Sequence, residues 1–339
     1  MNLTGQKLIG GFCAAGAVMT LLFAGNRILH PPVSPAVVQV SAEKGTQPTT
    51  LPTAPPWETE APAQTEPPRD PRKEALEQAA QNMDGQSIFV YDTAAGEMLL
   101  AAGGETQTVY PASITKLFSA WVALKHLAPD TVVTAGEELA LVKPGSSTAY
   151  IRKGHRLTVE MLVEAMLLPS GNDGAYVLAA AAGRAVAQDD GLSPEEAVEV
   201  FVETMNREAE AQGMTGSHFT NPDGYHEENH ISCPEDLVKI GLLALENDLI
   251  ASYAGKQQDP VTFQSGQWIT WYNTNALLDP ESPFYTEDCL GLKTGFTGEA
   301  GYCLLAAFRR EEGVILMGIF GAKSGAGRYR DAKILLDLC

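Results

Sequence analysis

Apolar positions along this chain recur at two different periods. "QSIFVYD" and "GEMLLAAGG" are β-rich runs around a "TAAG" turn and predict a hairpin. From Ser113 to Leu127 the spacing becomes helical, with Leu117, Trp121 and Leu124 on one stripe. Short polar runs follow to about Arg156. "LTVEMLVEAMLL" and "GNDGAYVLAAAAG" then predict two helices broken at Pro169. "SPEEAVEVFVETMNREAEAQ" predicts a helix with a start signal, Ser193 followed by Pro194 and two glutamates. "CPEDLVKIGLLALEN" predicts another. The end of the chain turns to strands, "CLGLKTGF", "GYCLLAAFRR" and "GVILMGIFG", with turns at Gly298 and Gly313. A helix over Arg328 to Leu338 closes it. The order is strand pair, many helices, three strands, helix. It implies that the first and last strands share one antiparallel sheet, with an all-helical insert between them, an α/β (α+β) class fold.

Ahead of this folded part the chain has a different character. Leu8 to Gly25 carries no charge over 18 residues. As a helix it would span about 27 Å, close to the apolar thickness of a bilayer. It predicts either an uncleaved anchor or a cleaved signal segment within residues 1–30. Cleavage after Ala24 would place Leu22 where a small residue is preferred, which favours the anchor. Only seven residues precede the segment, so either alternative puts the domain beyond the membrane. Residues 31–71 contain eleven prolines among small and polar residues and predict an extended spacer that buries no core. At polyproline II rise its reach is at most on the order of 100 Å. "PRKEALEQAAQNM" has helical composition, so one domain is expected over residues 72–339.

The formal charge of −19 over 339 residues argues against nucleic acid as a partner. Of five cysteines, Cys13 lies in the apolar segment and Cys339 ends the chain. Cys233, Cys289 and Cys303 remain, an odd number that spells no disulfide framework. Cys289 and Cys303 fall on neighbouring predicted strands, yet buried free thiols are the expected state.

Three short stretches carry candidate chemistry. Ser113 and Lys116 stand three apart at the start of a helix, so hydroxyl and amine share a face. A serine attacks only when a base takes its proton, and lysine serves only if its surroundings favour the neutral amine. The pair alone is weak, since an exposed serine and lysine would look the same. Ser170-Gly171-Asn172 puts a hydroxyl and an amide on a tight corner, although either could merely cap a helix. Lys293-Thr294-Gly295 places a lysine in an apolar strand, with a glycine that suits close approach of a ligand. The bland alternative there is an edge lysine that deters aggregation. The three together match the serine–lysine motif set of penicillin-binding proteins and class A β-lactamases.

With "YPASITKLFSA", "LLPSGNDGA", "NPDGYHEENHIS", "LGLKTGFTGEAGYCLLAAF" and "GAGRYRDAKILLDL" the resemblance becomes specific. From about Ser87 onward the chain resembles the D-alanyl-D-alanine carboxypeptidases of the low-molecular-mass penicillin-binding protein family. That resemblance implies a β-lactamase/transpeptidase-like fold and acyl transfer on peptidoglycan stem peptides ending in D-Ala-D-Ala. Ser113 would be the nucleophile and Lys116 its base. Ser170, oriented by Asn172, would relay a proton to the leaving D-alanine. Lys293 would add positive charge, and Thr294 and Arg328 would meet the terminal carboxylate. The N–H groups of Ser113 and Phe296, beside Gly295, would form the oxyanion hole. β-Lactams would enter as covalent inhibitors, with no metal or other cofactor. Membrane attachment would sit at the N-terminus, and the chain is too short for the β-rich C-terminal domain many such enzymes carry.

Three competitors can be weighed. A class A β-lactamase would show Glu-x-x-Leu-Asn after the second motif, and none is present. A β-lactam-sensing domain would need a cytoplasmic output domain, which seven residues do not supply. "HEENH", His226 to His230, matches a zinc peptidase motif that works only on a helix. Here it lies between "NPDG" and Cys233-Pro234 and reads as a loop, in which His230 matches the usual histidine of the resembled family.

Overall fold

The computed structural model describes residues 70–339; the apolar segment and all but the end of the proline-rich stretch lie outside them. Among the described residues no helix is long and apolar enough to cross a membrane. Folding begins at α1 (Pro71–Ala80), where Asp70 accepts a hydrogen bond from Arg72 N–H at 2.8 Å. The proline fits because the first helical position has no N–H to satisfy.

The predicted hairpin is present as β1 (Ser87–Asp92) and β2 (Glu97–Ala102). The three late strands are β7 (Cys289–Thr297), β8 (Gly301–Arg309) and β9 (Val314–Ala322). They join the hairpin in one antiparallel sheet of order β2-β1-β9-β8-β7. Central strands here are apolar without a break because both faces are covered. Phe89 on β1, Cys303, Leu305 and Ala307 on β8, and Leu316 and Phe320 on β9 face the larger core. Their neighbours Ile88, Val90, Leu304, Ala306, Phe308, Ile315 and Met317 face a smaller core, closed by Leu76 of α1 and Tyr329 and Leu335 of α8 (Gly325–Leu336).

The insert supplies the other side of the larger core. It contains α2 (Thr115–Leu124), α3 (Val159–Leu167), α4 (Asn172–Ala187), α5 (Pro194–Ala211), α6 (Pro234–Glu246) and α7 (Asp248–Ala254). Helix α5 starts with the expected box, Ser193 bonding Glu196 N–H and the Glu196 carboxylate bonding Ser193 N–H. The insert is not all helical. It carries two small two-stranded sheets, β3 (Val132–Thr134) with β4 (Arg156–Thr158), and β5 (Gln258–Thr262) with β6 (Trp268–Tyr272). These strands are three to five residues long and half exposed, and of the four only β6, "WITWY", carries an apolar run.

Candidate active site

Ser113 lies in a single 3-10 turn, Ala112–Ile114, that runs straight into α2. The sequence placed it in the helix itself. Ala112 is left-handed (φ 47°), a conformation that costs an alanine energy and that lifts the serine out of the helical path. Lys116 follows one turn on, with no exposed surface. Its Nζ lies 2.8 Å from Ser113 Oγ and donates to the Asp223 carbonyl at 2.7 Å. Burial lowers the amine from 10.5 to about 8, while the charges of Asp223 and Asp173 oppose the shift. An N–H fixed on a carbonyl leaves the lone pair of a neutral amine for the serine proton.

The loop that offers this carbonyl is "NPDGY". Asn221 Oδ1 accepts Gly224 N–H (2.8 Å) and its Nδ2 donates to Tyr225 O (2.9 Å), so one side chain closes the turn. Gly224 has φ +80°, and a Cβ there would stand 1.9 Å from Ala112 O. Ser119 of α2 donates to Pro222 O at 2.7 Å and ties helix to loop a second time.

Ser170 and Asn172 sit between α3 and α4. Ser170 is left-handed (φ 62°), and the Asn172 N–H donates to Ser147 O at 2.8 Å. Neither side chain caps α4; the cap residue is Gly171, with no side-chain bond. Both side chains line the cleft.

Lys293 is on β7, the edge strand, but it does not guard that edge: it is 1% exposed. Its Nζ donates to Thr294 O at 3.2 Å. Burial, then the charges of Lys116 and Arg328, push its amine well below the usual lysine range. The positive charge expected at Lys293 is therefore disfavoured by burial and by its two cationic neighbours. Thr294 Oγ1 lies 2.5 Å from Thr274 Oγ1. Gly295 passes so near the serine turn that a Cβ would stand 2.9 Å from Ala112 Cβ and 3.1 Å from Ser113 N. Phe296 is 56% exposed and packs on Tyr302 at 4.5 Å. Arg328, in the first turn of α8, donates to Gly295 O (3.0 Å) and Cys303 O (2.9 Å). It thereby tethers α8 to the β7–β8 pair.

These elements enclose a cleft of about 510 Å³. Ser113, Ser170, Asn172, Thr294, Gly295, Phe296 and Arg328 line it, and Lys116 and Lys293 lie buried beside their lining neighbours. Every predicted site residue thus converges on one place. The structure adds Thr274, Tyr225 and the Asp223 carbonyl, which no spacing announced. Thr274 was hidden in "YNTNALL", and a backbone oxygen has no residue signature.

The "HEENH" stretch is a loop. His226 meets the Tyr110 ring edge to face at 4.7 Å. His230 is buried, and its Nδ1 accepts Thr220 N–H at 3.1 Å. That assigns the proton to Nε2, which lies 2.8 Å from Thr115 Oγ1. Among the described residues no group of three His, Cys, Asp or Glu side chains is placed to hold a metal. Cys233, Cys289, Cys303 and Cys339 are free thiols. Cys289 pairs across the ladder with Phe308 and Cys303 with Gly295, so these two cannot meet.

Residues 73–324 match the peptidase family described as D-alanyl-D-alanine carboxypeptidase. The D-alanyl-D-alanine carboxypeptidase of Streptomyces sp. strain K15 is 30% identical over 235 residues, covering 66% of this chain and 77% of that protein. D-alanyl-D-alanine carboxypeptidase DacF of Bacillus subtilis is 28% identical over 232 residues, 67% of this chain. The chain spans 55% of that protein's length, and 58% of DacD of Escherichia coli. The crystal structure of the Streptomyces K15 DD-transpeptidase superposes with a TM-score of 0.67 at 26% identity, covering 76% of this chain and 97% of that one. Penicillin-binding protein D2 of Listeria monocytogenes, in an ampicillin-bound form, shares the fold with a TM-score of 0.61 at 24% identity, covering 76% and 98%. With the match running through all three motif stretches, this chain belongs to the D-alanyl-D-alanine carboxypeptidase family of serine peptidases.

Proposed function

We propose that the chain is a serine D-Ala-D-Ala carboxypeptidase that trims peptidoglycan stem pentapeptides. The carrying observation is the 2.8 Å contact of Ser113 Oγ with a fully buried lysine whose N–H is anchored on a carbonyl. Ser113 Oγ attacks the carbonyl between the two D-alanines, and its proton passes to Lys116 Nζ. The oxyanion is held by the N–H groups of Ser113 and Phe296. The C–N bond breaks, and the departing amine takes a proton through Ser170, which Asn172 orients. Thr294 and Arg328 meet the terminal carboxylate, and the buried Lys293 adds positive charge beside it. Water then hydrolyses the ester and returns Ser113. A β-lactam acylates the same oxygen and stays, because its leaving group remains tethered.

The domain works outside the cytoplasm, anchored through Leu8–Gly25 and held off the membrane by the proline-rich stretch; the composition of residues 1–71 supports this. The test uses the full chain in detergent with fluorescent penicillin, and a pentapeptide ending in D-Ala-D-Ala. Labelling that vanishes in Ser113→Ala, together with D-alanine release, is expected. Labelling without release would favour the sensing alternative; absence of labelling on a folded chain would remove Ser113 from its role.

A further inference from the structure

A separate, smaller cavity of about 210 Å³ lies where the β5–β6 hairpin meets the segment after Ser147. Its walls include Tyr150, Phe263 and Trp268, with Arg152, His155 and Gln267 among them. Trp268 is 78% exposed and Tyr150 is 68% exposed, the two most exposed large apolar side chains described. Solvated aromatic rings on one cavity are not a packing requirement, since neither supports the core.

Tyr150 is also held in place against its own preference. The buried Asp173 carboxylate accepts N–H bonds from Ala149 and Ile151, both 2.8 Å. The residue between is forced into the left-handed region (φ 61°), unfavourable for an aromatic side chain, while Ala149 and Ile151 are buried on either side of it. Trp271 Nε1–H, bonded to Ala149 O at 3.0 Å, locks β6 to the same segment. The polar members are oriented as well. His155 Nδ1 accepts Arg152 N–H (3.2 Å), so its neutral ring presents N–H from the other nitrogen. Gln267 Oε1 accepts from Ser265 (2.6 Å), which turns its amide nitrogen away from that bond.

Two exposed rings flanked by planar hydrogen-bonding side chains suit a pyranose. Its C–H face stacks on an aromatic ring, and its hydroxyl and N-acetyl groups take and give hydrogen bonds at the rim. Location narrows the occupant. Ser147 lines the active-site cleft and Tyr150 lines this cavity, and three residues of chain span at most about 10 Å. A stem peptide with its C-terminus in the cleft is joined to a glycan. We propose that the Tyr150–Trp268 cavity binds the N-acetylated glycan of the same peptidoglycan strand, so that the enzyme prefers peptides still attached to sugar. This rests on the carboxypeptidase reading.

The test compares D-alanine release by the full chain from a free pentapeptide and from the same pentapeptide on an N-acetylglucosaminyl-N-acetylmuramyl disaccharide repeat. The expected result is kcat/KM about tenfold higher for the glycan-linked peptide, the scale of one good stacking contact. Trp268→Ala and Tyr150→Asn should each remove most of that preference, asparagine being chosen because it tolerates the left-handed backbone. Trp268→Phe should keep most of it, and all three should leave the free-peptide rate unchanged. A soluble tetramer of N-acetylglucosamine should inhibit release from the glycan-linked peptide only. Equal kcat/KM for both substrates, or variants that slow both alike, would overturn the glycan site while leaving the carboxypeptidase standing. No release from either substrate would overturn the carboxypeptidase and this inference with it.

Discussion

If Lys116 takes the serine proton, acylation must follow the neutral fraction of that amine. At pH 7 a lysine with its ordinary value of 10.5 is about 0.03% neutral. At about 8 it is roughly 9% neutral, a gain on the order of 300-fold from burial net of the opposing charges of Asp223 and Asp173. The sign is fixed: the reactive form is the deprotonated one, so the rate rises about tenfold per pH unit below the midpoint and levels above about 8. The assay is the second-order rate of fluorescent-penicillin acylation between pH 5.5 and 9.5. Lys116→Met is the control, because it keeps the volume and apolar stem and removes the base. It should lose roughly 10²–10⁴ in rate, the usual worth of a general base, and with it the slope. A flat profile, or a rise that continues toward 10.5, would refute the assignment of Lys116 as an amine made basic by burial.

Two further outcomes follow from the packing. Gly295→Ala puts a Cβ 2.9 Å from Ala112 Cβ and 3.1 Å from Ser113 N, both parts of the serine turn. Acylation should fall by about 10²-fold, the cost of a displacement of roughly an ångström, with the far-UV spectrum unchanged; near-normal acylation would show that the turn can yield. Glu164 of α3 is 3% exposed, and burial, with Asp259 next in weight, raises its carboxyl to about 8. The folded state holds this proton more tightly than the unfolded chain, so stability is present below the unfolded value and is lost as pH rises toward 8. Glu164→Gln should therefore raise Tm by about 2–6 °C at pH 8.5 and change it little at pH 4.5, as read by calorimetry at both values.

Much of this was legible because it is carried by long or chemically unusual stretches. The β7, β8 and β9 runs are nine residues each, and those of β8 and β9 are apolar on both faces. Lys293 stood out since nothing else in "LGLKTGF" is charged. The small sheets were not legible, for physical reasons. β5 contains Pro260, which argues against a strand and is tolerated only because a two-stranded pair has open edges. β3 and β4 are three residues each, too short for any period. The 3-10 turn at Ser113 escaped as well. Its left-handed alanine sits where Gly224 and Gly295 approach closely from two sides, a setting that local propensity does not announce. The state of Lys293 depends on its burial, then on Lys116 and Arg328, surroundings that exist only in the folded chain.

The pairing of β1 with β9 matters for the order of events during synthesis. Ser87 sits opposite Phe320, and Asp92 opposite Ile315, so the centre of the sheet joins the two ends of the domain. At ordinary elongation rates β9 emerges on the order of ten seconds to most of a minute after β1. Until then the β1–β2 hairpin is a lone pair, marginal in water, with the outer edge of β1 open to any passing strand. Closure must await the finished chain, and such long-range pairing is slow even then. A chain that stops before Val314 would lack the strand on which both cores are built.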